Sequence, residues 1–77
     1  MSRPKGDPAI GERAAEEVQR RADEDGTSIL AVCETMHVDN HLFYRWRYGT
    51  TPDTATLAAM AAHGLDVFYI LTGRRSV

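Results

Sequence analysis

Residues 28–49 hold two short apolar-periodic segments separated by a polar break at Asp39. In the first, Ile29, Val32, Cys33 and Met36 recur at i, i+3, i+4 and i+7, the spacing of one α-helical face. In the second, Leu42, Phe43 and Trp46 form the apolar set, while Asn40, His41, Tyr44, Arg45 and Arg47 fall largely outside it. The Asp39 carboxylate is suited to accept from free backbone N–H groups of the turn that follows, which predicts an N-cap. Gly49 predicts the end of the second segment, where a left-handed residue costs least. A helix, a tight break and a second helix with a basic polar face make the layout of a helix-turn-helix.

The same stretch resembles the Cro/C1-type (XRE-like) helix-turn-helix domain of phage and bacterial repressors. Val38, Asp39, Phe43, Arg45, Trp46 and Gly49 stand at the spacing of that family's turn and recognition helix. Residues 57–61 and 65–73 resemble its fourth and fifth helices, so the likeness covers most of the chain. Four positions depart from the pattern. Ile29 replaces a polar residue, Cys33 a small alanine, His37 the turn glycine, and Arg47 an acidic residue after the tryptophan. The resemblance implies an all-α, five-helix, lambda-repressor-like domain. It also implies sequence-specific binding of double-stranded DNA by a transcriptional regulator, a small repressor of phage or prophage type. By the same likeness Asn40, His41, Tyr44 and Arg45 face the bases, and Phe43 and Trp46 anchor the helix to the core.

A chain of 77 residues is one domain with a small core. A lone cysteine precludes an intrachain disulfide and suits a reducing compartment, and the apolar runs are too short to span a bilayer. With no signal pattern at the start, the expectation is a cytoplasmic protein without a membrane partner. The net charge of −2 argues against indiscriminate polyanion binding, but its distribution is uneven. Residues 7–39 carry nine acids and three bases, whereas the rest carries six bases and two acids. The basic parts are the second helix of the pair and both termini.

Along the chain, residues 1–8, with two prolines, a glycine and two bases, read as a disordered basic arm. Residues 9–73 form the domain, and residues 74–77 a short basic tail. Residues 9–25 predict a helix with a stripe of Ile10, Ala14, Val18 and Ala22, and with favourable Glu16–Arg20 and Glu17–Arg21 pairs. Asp23, Glu24 and Asp25 oppose the helix dipole and predict fraying there. Either Thr27 or Ser28 caps the next helix. Thr51 is expected to cap the fourth helix, with Pro52 in its first turn and Leu57, Met60 and Ala61 inward. Gly64 closes that helix, and Asp66 caps a last one that points Val67, Ile70 and Leu71 inward.

An α-helix fits the major groove, where asparagine matches adenine and arginine matches guanine through paired hydrogen bonds. Thr27, Ser28, Arg47, Tyr48, Thr50 and Thr51 are candidates for phosphate contact, since helix N-termini and cations attract anions. Capping alone also accounts for Thr27, Ser28 and Thr51. Cys33, His37 and His41 repeat every four residues, but the break at Val38 and Asp39 turns the chain between them, and no metal site is expected. No catalytic constellation, cofactor motif or small-molecule site is evident. Phe68 is expected to face outward, which points to a homodimer through the last helix with Phe68 and Tyr69 at its interface; the alternative is that Phe68 completes a thin core. A protein-interaction module that keeps the fold but binds a protein partner is the other functional class these features allow.

Overall fold

The computed structural model describes residues 8–75, and over them the chain is all-α. Five helices follow in order: α1 Pro8–Asp25, α2 Ile29–Thr35, α3 Asn40–Arg47, α4 Thr54–Ala62 and α5 Val67–Thr72. The expected arm lies outside the described residues except for Pro8. Pro8 opens α1, where its missing N–H would have had no partner anyway.

α1 is the axle of the fold, packing most extensively on α3, then on α5 and α2. Its stripe of Ala14, Val18 and Ala22 is buried, and Ile10 packs against the core. Gly11 widens that contact. A Cβ built at Gly11 would run into the Thr50 carbonyl oxygen and come within 2.9 Å of the Trp46 carbonyl oxygen. Only a residue without a side chain lets the end of α3 settle against α1.

α1 runs through its acidic end to Asp25. Gln19 donates to Asp23 at 3.0 Å, and Arg21 donates to Asp25 at 3.0 Å. The expected ion pairs are rearranged: Arg20 joins Glu17 at 2.8 Å and Glu24 at 2.5 Å, and Arg21 turns to Asp25. Both rearrangements follow from the burial of Glu17, which takes it off the solvated face where the pairing rules apply.

Ser28, rather than Thr27, caps α2 by accepting from the Ala31 N–H at 3.1 Å. α2 ends in a paired return: His37 N–H donates to Glu34 O at 3.1 Å, and Val38 N–H to Cys33 O at 2.9 Å. His37 takes the left-handed conformation, with φ 58°, among the described residues the one non-glycine that does so. Asp39 then caps α3, accepting from the His41 N–H at 2.9 Å. Four residues therefore connect α2 to α3.

α4 departs from expectation. Asp53 is its cap, accepting from the Thr56 N–H at 2.8 Å, and Pro52 lies buried ahead of the helix. An ionised carboxylate accepts more strongly than the Thr51 hydroxyl would. Its inward residues are Thr56 and Met60 with Leu57 partly covered, while Ala61 is exposed. α4 is apolar or small all round, so its sequence pattern could not choose a face. In α5, Ile70 is fully buried and Val67 packs against the core, but Leu71 is 46% exposed. Leu71 lies about 100° beyond Ile70 around the helix, too far to share its pocket.

Three side chains of α1, spaced by four, fasten the last two helices. Arg13 donates through Nε to the Ile70 carbonyl at 2.9 Å, near the end of α5. Arg21 donates to the His63 carbonyl at 2.6 Å, at the end of α4. Glu17, between them, accepts from the Asp66 N–H at 3.2 Å, at the start of α5. Each charge meets the helix end of opposite partial charge. Trp46, Met60, Ile70, Val18 and Cys33 fill the centre of the resulting core.

Candidate nucleic-acid interface

α3 is held by two aromatic anchors, Phe43 and Trp46, both buried. At about 100° per residue, the direction opposite these anchors and Leu42 passes between Tyr44 and Tyr48, with His41 close by. Arg45 lies on one flank of that strip, and Asn40 and Arg47 on the other. Tyr44 is 49% exposed and Tyr48 89%. His41 is exposed, its ring 3.8 Å from the Asp39 carboxylate, and Asn40 is half-buried.

Arg47 faces the seam between α1 and α3. Its guanidinium lies 5.9 Å from the centre of the Phe43 ring, and it lines a groove with Glu12, Ala15, Glu16 and Gln19. Thr50 and Thr51 are exposed just past the end of α3. The Thr50 backbone, through its contact with Gly11, fixes where that loop sits.

Thr27 and Ser28 are exposed, but the Ser28 hydroxyl is occupied as a cap. Thr27 lines a different feature, a cleft of about 110 Å³ where α1, α2 and the end of α4 meet, with Arg21, Thr35 and His63. The structure thus gathers Asn40, His41, Tyr44, Arg45, Arg47, Tyr48, Thr50 and Thr51 around α3, and puts Thr27 in a cleft of its own.

The charges sort themselves. Arg13, Arg20, Arg21 and Arg75 are all engaged within the chain. Among the described residues the Arg45 and Arg74 guanidinium groups have no hydrogen bond or ion pair, and that of Arg47 has only the ring beneath it. Arg75, in the short basic tail, folds back onto the domain, 2.6 Å from Glu17 and 3.8 Å from the centre of the Tyr69 ring. The Tyr69 hydroxyl donates to Glu16 at 2.7 Å. Glu17 has no solvent exposure, and burial by itself would push its carboxyl up. Hydrogen bonds from Arg20, Arg75 and the Asp66 N–H outweigh that and hold it below the ordinary carboxylate value. The i+3 spacing of Glu17 and Arg20 is the part of this network that the sequence carries locally.

Cys33 is buried and its thiol is pushed up by that burial and by the nearby Asp39 charge, while His37 and His41 are exposed. Among the described residues no three histidine, cysteine or carboxylate side chains come together as a metal site. None of the described helices is long and apolar enough to cross a membrane. Comparison with family models, with curated proteins and with solved structures gave no match.

Proposed function

We propose that this protein is a sequence-specific, double-stranded DNA-binding transcriptional regulator. In this reading α2 and α3 act as a helix-turn-helix, with α3 in the major groove. The observation that carries it is the sorting of cations: Arg13, Arg20, Arg21 and Arg75 are engaged within the fold, while the guanidinium groups of Arg45 and Arg47 remain available beside an outward polar and aromatic strip, as does that of Arg74 at the other end of the domain. Phosphate walls attract such flanking cations, and base edges are read from between them. Asn40, His41, Tyr44 and Arg45 address the bases. Arg47, Tyr48, Thr50 and Thr51 address the backbone, with Ser28 at the start of α2. A small cytoplasmic repressor of the Cro/C1 type fits these features.

One small domain covers little DNA, so the reading includes a homodimer on a two-fold site. Phe68 and Leu71, 52% and 46% exposed on α5, support that assembly. The same two side chains and the net charge of −2 favour the second reading, a module that binds a protein partner. The experiment is selection from a random duplex pool, followed by gel shifts over a salt series. An enriched sequence whose affinity falls steeply with salt is expected. A pool that never enriches refutes the DNA reading.

A further inference from the structure

The centre of the outward strip on α3 is aromatic rather than charged. Tyr44 and Tyr48 stand about one turn apart there. Neither hydroxyl has a partner among the described residues, in contrast to Tyr69, whose hydroxyl is bonded to Glu16. The Tyr44 ring meets the Phe43 ring edge-on, with centres 5.0 Å apart and planes at 89°. Phe43 is locked in the core, so it gives Tyr44 a fixed support, and the outward edge of the Tyr44 ring is presented in a set attitude.

An apolar ring between two cations matches a surface with anionic walls and an apolar feature on its floor. The major groove of duplex DNA has such a feature, the C5 methyl group of thymine. Resting on the DNA-binding reading, we propose that Tyr44 is a specificity-determining residue that packs against a thymine methyl group. Tyr48, at the end of the helix, covers that contact from solvent and directs its hydroxyl to the adjacent phosphate. The operator therefore carries thymine opposite the middle of α3 in each half-site, and removing only the methyl group weakens binding.

The test uses the full chain and the duplex it selects from a random pool. Each thymine is replaced in turn by deoxyuridine, which keeps pairing and deletes the methyl. Fluorescence anisotropy should show about a fourfold loss at one or two positions per half-site, the worth of one buried methyl group. Tyr44→Ala should abolish the difference between thymine and uracil at that position, and Tyr44→Phe should keep it. Tyr44→Phe keeps the ring on Phe43 and should melt like the wild type, while Tyr44→Ala should stay folded with a somewhat lower midpoint for the lost contact. If the duplex binds but every uracil is tolerated, the inference falls while the DNA reading stands. Failure to select any duplex, or tighter binding to the separated strand, overturns both.

Discussion

The Arg75 guanidinium lies 2.6 Å from Oε2 of Glu17, a carboxylate with no solvent exposure, and so ties the last described residue of the chain to the middle of the first helix. Arg20 approaches the same carboxylate from one turn along α1. Glu17 is therefore ionised in the fold and held below its ordinary value of 4.5. A depressed carboxylate contributes stability above its unfolded value, and that contribution fades as pH falls through the folded one. Glu17→Gln should cost about 1–3 kcal/mol at neutral pH, the range for a buried group losing charged hydrogen bonds. It should also flatten the loss of stability below about pH 4.5. Urea melts at a series of pH values check both, and an acid limb as steep as that of the wild type would mean Glu17 is not the group responsible.

Gly11→Ala should destabilise the domain, although the same change inside an exposed helix stabilises it by about 0.5–1 kcal/mol. The new Cβ would press on the Thr50 and Trp46 carbonyls and push α3 away from α1. Overpacking of this kind costs about 1–3 kcal/mol. A thermal melt decides the sign, and a higher midpoint would show that α1 and α3 are further apart.

His37→Gly is expected to act in the opposite direction. His37 holds φ 58° in the return that ends α2, where a side chain costs roughly 1 kcal/mol relative to glycine. The denaturation midpoint should rise with no change in spectrum. An unchanged or lower midpoint would indicate that the His37 side chain makes a compensating contact.

Arg45→Ala should weaken binding to the selected duplex by about 1–3 kcal/mol and relax preference at one or two base pairs. Arg47→Ala should weaken binding to all duplexes alike and make the salt dependence shallower, because Arg47 stands on the flank over Phe43. Equal effects of the two variants on every sequence would place Arg45 on the backbone as well.

Phe68→Glu should leave a folded monomer that binds a half-site weakly, because Phe68 is 52% exposed and does not support the core. Sedimentation at tens of micromolar, with and without the selected duplex, reads the assembly. A wild type that stays monomeric in both conditions would leave Phe68 and Leu71 to a foreign partner.

The helices, the caps at Asp39 and Asp66, and the anchoring of α3 by Phe43 and Trp46 were legible in the sequence, and the cap of α2 was legible only as Thr27 or Ser28. Capping and periodicity act within a few residues, so local chemistry determines them. α4 was harder to read, since a segment apolar on every side has no preferred face until its neighbours are in place. Asp53 rather than Thr51 as the cap of α4 is also a local contact, with the Thr56 N–H three residues on, whereas only the tertiary structure decided that Leu71 faces out. It alone put the Thr50 carbonyl against Gly11 and carried Arg75 back to a buried Glu17. On an isolated helix Glu17 would be one more solvated acid. In the fold it is desolvated between α1 and α5, and groups 49 and 58 positions away in the chain must supply hydrogen bonds to keep its charge there.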